Sequence, residues 1–78
     1  MNEPIQRDLG EQPIARIMAE RDVVRRDLVV ASNQRVTHKM VARACKGRRL
    51  TLHSQHLVLD ALNKAAGADY EMADLFLY

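Results

Sequence analysis

Residues 36–47, V-T-H-K-M-V-A-R-A-C-K-G, constrain the fold more than any other part of the chain, because both ends of this stretch are punctuated. The Thr37 hydroxyl is suited to accept a hydrogen bond from an unpaired amide of a first helical turn, and Gly47 is suited to the left-handed conformation that ends a helix. These two signals predict a short helix over His38–Lys46. Val41, Ala44 and Cys45 stand at i, i+3 and i+4, so they share one face and should point into a core. His38, Lys39, Arg43 and Lys46 are left outside, and Arg48 and Arg49 follow at once.

The rest of the chain carries the same period. Pro13 is tolerated at a first helical position, and Ile14, Ile17 and Met18 make an apolar stripe, so a first helix is expected over 13–21. After a turn at Asp22 and Val23 a second helix is expected over Arg25–Ala31, with Leu28 inward and Val29 or Val24 beside it. Ser32, Asn33, Gln34 and Arg35 form a polar break, and Val36 is one apolar anchor before the central helix. Thr51 can cap a fourth helix ending at Ala65 or Ala66, in which Ser54, Leu57, Val58, Ala61, Leu62 and Ala65 keep the helical period and Gly67 supplies the stop. Asp69 can cap a last turn over 70–76, with Met72, Leu75 and Phe76 closing the core. No alternation typical of strands and no repeat interrupts this pattern. The expected fold is all-α, a compact bundle of about five short helices over residues 12–78, preceded by a flexible arm over 1–11 in which charge, Pro4 and Gly10 mix without periodicity.

Composition bounds what such a bundle can do. Seventy-eight residues, 47% of them hydrophobic, suffice for one helical domain that needs neither metal nor disulfide. A single cysteine excludes an internal disulfide and suits a reducing compartment. With no signal peptide and no membrane-length apolar run, a cytoplasmic protein without membrane association is expected. The formal net charge is only +2, yet between Arg25 and Arg49 eight basic residues face one acid, Asp27, a local charge of +7 that leaves −5 on the remainder. Attraction to a polyanion depends on local phosphate contacts more than on total charge, so this asymmetry points to nucleic acid. A solvated basic face is the plainer alternative. RNA is less favoured than duplex DNA, because Tyr70, Phe76 and Tyr78 lie far from the basic segment in sequence and offer it no stacking platform.

Catalysis finds little support. There is no nucleophile and base within a motif, no phosphate-cradling glycine loop and no paired carboxylates, and no cofactor is implied. His53 and His56 are i, i+3 on one helix, but without a Cys or carboxylate at matching spacing they read as surface histidines, so no metal is expected. Cys45 sits among cations that would lower its pKa and make it a redox candidate. Its place on the inward face favours a buried structural thiol.

Leu28, Val36, Val41, Gly47 and the closing Asp74, Leu75 and Phe76, spread over helices of these lengths, resemble the lambda-repressor-like, Cro-type helix-turn-helix family from Ile14 to Phe76. The resemblance implies a small sequence-specific binder of double-stranded DNA, a prokaryotic or phage-type transcriptional regulator whose helix 38–46 lies in the major groove. It places base contacts on His38, Lys39 and Arg43, and phosphate contacts on Arg25, Arg26, Thr37, Lys46, Arg48 and Arg49. Family members usually act as symmetric dimers; of the apolar tail Leu75, Phe76, Leu77 and Tyr78, some residues are expected to pack on helices one and four, and any left exposed would make a homodimer contact. The chain departs from the family in three ways. The segment between Leu28 and Val36 is longer by about two residues than the family's compact turn, Asn33 stands in for the turn glycine, and Val24 stands where a capping Ser or Thr is usual. The longer turn keeps a second reading open: a protein-interaction module whose basic face meets an acidic partner.

Overall fold

The computed structural model describes residues 10–77, which hold five helices and no strand among the described residues. In chain order these are α1 (Pro13–Glu20), α2 (Arg25–Ala31), α3 (His38–Lys46), α4 (Leu52–Ala66) and α5 (Met72–Leu75). All but a few residues of the expected arm fall outside the described residues. Its last two, Gly10 and Glu11, are described, and Gly10 lies against the backbone of Gly47.

The α4 helix is the central post, packed by α2, α3 and α5, while α1 leans on α3 and α5. Ile14, Leu28, Val36, Val41, Val58, Leu62 and Leu75 are fully buried where these helices meet. Each such side chain contributes on the order of 1.5 to 3 kcal/mol through loss of apolar surface to water. The expected inward residues are confirmed, with Ile17, Leu57 and Cys45 packed at the margin of the core. Beside Leu28 the half-buried neighbour is Val29, whereas Val24 is exposed.

Capping explains most of the boundaries. Thr37 Oγ1 accepts from the Met40 amide at 3.1 Å, and Thr51 Oγ1 accepts from the Ser54 amide at 3.2 Å. Gly47 and Gly67 both take positive φ at the ends of α3 and α4. Val24, which has no capping oxygen, begins α2 by donating its amide to Asp27 Oδ2 at 2.9 Å. The last helix is shorter than expected and Asp69 does not cap it. Glu71 holds the N-cap position, and its amide donates to Asp74 Oδ2 at 2.8 Å. Tyr70 is instead held before that helix by Asn63, whose Oδ1 accepts from the Tyr70 amide at 2.7 Å and whose Nδ2 donates to the Tyr70 carbonyl at 3.1 Å.

Gln12 is the one buried polar residue among those described, and it ties three parts of the chain together. Its amide donates to the Cys45 carbonyl at 3.0 Å, its Nε2 donates to the Gly10 carbonyl at 2.9 Å, and its Oε1 accepts from the Leu77 amide at 2.7 Å. Of the tail, Leu75 and Phe76 are buried and Leu77 stays exposed. Tyr78 lies outside the described residues.

The turn between α2 and α3 is locked by its own hydrogen bonds. Ser32 Oγ donates to the Val29 carbonyl and accepts from the Val36 amide, both at 2.9 Å, which bridges the last turn of α2 to the buried anchor before α3. Asn33 takes φ 58° as expected, and Gln34 also takes a positive φ, 67°. For an L residue that conformation costs about 1 to 2 kcal/mol, and glycine, which avoids it, gives back about 0.5 to 1 kcal/mol through its freer unfolded chain. Gln34→Gly should therefore stabilise the protein by roughly 0.5 to 1 kcal/mol, read as a higher urea midpoint. A lower midpoint would mean that the Gln34 side chain supplies more than the backbone strain removes.

Candidate nucleic-acid interface

The outer face of α3 follows from what its inner face must bury. Val41 and Ala44 are fully enclosed, and this orientation turns Lys39, Ala42, Arg43 and Lys46, at i, i+3, i+4 and i+7, into one stripe on the far side. At its end the chain doubles back. The amides of Gly47 and Arg48 both donate to the Arg43 carbonyl, at 3.1 and 2.9 Å, and this closure brings Arg48 alongside the helix. Lys39, Ala42, Arg43, Lys46 and Arg48 then line a shallow groove of about 520 Å³. The side chains of Lys39, Arg43 and Lys46 are exposed and make no hydrogen bond or ion pair with other described residues, so their donors are available to a ligand.

Four expected contact residues, Lys39, Arg43, Lys46 and Arg48, thus meet in one place. His38 and Thr37 are exposed at the N-terminal end of α3, where the Thr37 oxygen already accepts from Met40 and its hydroxyl can still donate. Arg25 lies close enough to the C-terminal turn of α3 for its charge to act on the Cys45 thiol. Arg26 and Arg49 are exposed but do not line the groove. Two contributors escape a reading by charge. Ala42, half-buried, also lines the groove, and its only sequence signal is its place at i+3 in the i, i+3, i+7 pattern with Lys39 and Lys46. Ser32 reaches no ligand but sets the start of α3 through Val36.

The cationic surroundings do not activate Cys45. Burial pushes its thiol up from the ordinary value, Arg25 pulls it down by less, and Glu11 adds a smaller upward push. Its Sγ lies 3.8 Å from Met18 Sδ, in a half-buried thiol–thioether contact that suits packing more than redox chemistry. His53 and His56 are both exposed, and among the described residues no group of three or more His, Cys, Asp or Glu is placed to hold a metal ion. No helix among the described residues is long and apolar enough to cross a membrane. Comparison of the chain with known protein families, with curated proteins and with solved structures found no match.

Proposed function

We propose that this protein is a small helix-turn-helix binder of double-stranded DNA that regulates transcription by occupying its site. In this reading α2, the locked turn and α3 form the helix-turn-helix, and α3 enters the major groove. The observation that carries the reading is the groove on α3, where Lys39, Arg43, Lys46 and Arg48 converge with no acid among the lining residues. Such a cluster releases several counterions when it meets a phosphate backbone. Arg25 and Arg26, at the N-terminus of α2, oppose the dipole of their own helix, a cost of a few tenths of a kcal/mol that a phosphate would relieve. His38 and Thr37 occupy the leading end of α3, where base and backbone contacts meet.

The test is a backbone NMR titration of the labelled protein with a short random duplex, at low and then physiological salt. Shifts concentrated in Arg25, Arg26, residues 37–43 and residues 46–49, weakening as salt rises, are expected. Shifts confined to the acidic C-terminal surface, or none at all, would remove the DNA reading and turn attention to an acidic protein partner for the same basic face.

Roles within the surface separate by mutation. Arg43→Ala should lower discrimination between preferred and random duplexes by about 1 to 3 kcal/mol, because it removes a side chain able to donate twice to one base. Arg48→Ala should weaken binding to every duplex alike and flatten the salt dependence by about one phosphate contact. Equal effects of both substitutions on preferred and random DNA would contradict this division.

A further inference from the structure

The chemistry of the α3 groove goes further than its charge. Residues 36–49 contain no Asp, Glu, Asn or Gln, so the exposed face of α3 has no carboxylate or amide with which to read a base. Lys carries three donors and Arg five, and neither carries an acceptor. Thr37 already spends one of its two lone pairs on capping the helix, so the acceptors on that face are confined to its N-terminal end, at Thr37 and at His38, the first position of α3. Ala42, which lines the groove with Lys39 and Lys46, has only a methyl group.

In the major groove the four bases differ in what they ask of a partner. Guanine presents two adjacent acceptors, N7 and O6, thymine one acceptor, O4, beside a methyl group, adenine pairs an acceptor with a donor, and cytosine presents a donor. A face made of donors satisfies guanine completely. It can bond only one atom of thymine or of adenine, and at adenine it leaves the neighbouring amino group unpaired, which is costly in a closed interface. Lys39 and Arg43, one helical turn apart, are separated by about 6 Å along the helix axis, close to two base steps of B-DNA.

Resting on the DNA reading above, we infer that the preferred site of this protein carries two guanines about two base pairs apart, one read by Arg43 and the other by Lys39. Specificity on this surface comes from donor matching, with Lys46 and Arg48 supplying affinity that is indifferent to sequence.

Selection of the full-length protein on a randomised duplex library at physiological salt tests this, followed by competition with modified duplexes. The expected motif has two guanines at that spacing. Replacing either by adenine should weaken binding roughly 5- to 150-fold, and replacing it by 7-deazaguanine, which lacks the N7 acceptor, should also weaken it. Arg43→Ala should abolish the preference at one guanine and Lys39→Ala at the other, with the helical circular dichroism of both variants unchanged. Enrichment of a motif without guanine, or a guanine preference that survives both substitutions, would overturn the inference while leaving DNA binding intact. Binding no tighter to any duplex than to a neutral polymer would overturn the DNA reading itself, and the inference with it.

Discussion

Leu28→Ala is expected to destabilise the protein by about 3 to 5 kcal/mol. Leu28 is fully buried and is the only buried residue of α2, a helix of seven residues. A helix that short has no stability of its own and depends on the face it packs. Truncation removes the apolar contact that joins α2 to α3 and α4, and it leaves a cavity that flanking Val29, already half-buried, cannot fill. A domain of this size has a total stability of about 4 to 12 kcal/mol, so a loss at the upper end would leave much of the population unfolded. Urea denaturation followed by helical circular dichroism is the measurement. Val30→Ala, at a position 68% exposed on the same helix, is the control and should change stability by no more than about 0.5 kcal/mol. A cost below about 1 kcal/mol for Leu28→Ala would show that α2 is held by something other than this contact. Duplex binding should fall with the folded fraction, because the turn that sets α3 is bridged to the last turn of α2 by Ser32.

The second large effect separates two glycines that look alike in sequence. Gly47 and Gly67 each end a helix at positive φ, 91° and 63°, and an alanine at either position bears a conformational cost of about 1 to 2 kcal/mol. Around Gly67 an added methyl group meets nothing within 4 Å. At Gly47 it runs into the backbone of Gly10, which has no flexible end that could move aside. Gly10 is held in turn by Gln12, whose amide is bonded to Cys45 and whose side chain is bonded to Leu77. To admit the methyl group, this segment must shift and strain or break buried hydrogen bonds worth roughly 1 to 2 kcal/mol more. Gly67→Ala should therefore cost about 1 kcal/mol and Gly47→Ala about 2 to 4 kcal/mol. Paired thermal melts decide the matter, and equal losses at the two sites would mean that the segment before α1 yields freely.

Both results bear on the proposed interface. Gly47 is where α3 stops and the chain turns to bring Arg48 beside Lys39, Arg43 and Lys46. An alanine there should disturb the groove as well as the stability, whereas Gly67→Ala, at the far end of α4, should leave duplex binding unchanged once the folded fraction is taken into account.

The local signals in the sequence determined the helices and the face each one buries. Thr37 with Gly47, and Thr51 with Gly67, mark helix ends because capping is a matter of neighbouring residues and backbone angles. Ile14, Leu28, Val41, Val58 and Leu62 mark inward faces because burial follows the helical period. The stripe of Lys39, Arg43 and Lys46 was legible for the same reason, being the complement of Val41 and Ala44. The boundary of α5 was not: Asp69 is the better local capping residue, yet Glu71 holds the N-cap position, because Asn63 holds Tyr70 from a different helix. Nor does anything in the order of residues mark Gln12 as buried: a glutamine before a proline has no capping preference, and its partners Cys45 and Leu77 are 33 and 65 residues away. Cys45 shows the same division. Its place on the helical period predicts an inward thiol, while the extent to which burial outweighs its cationic neighbours and raises its pKa depends on the packing of α1 against α3. Local chemistry sets conformation over three or four residues, but desolvation and close backbone approach depend on which distant segments are brought together, and that was decided only by the tertiary structure.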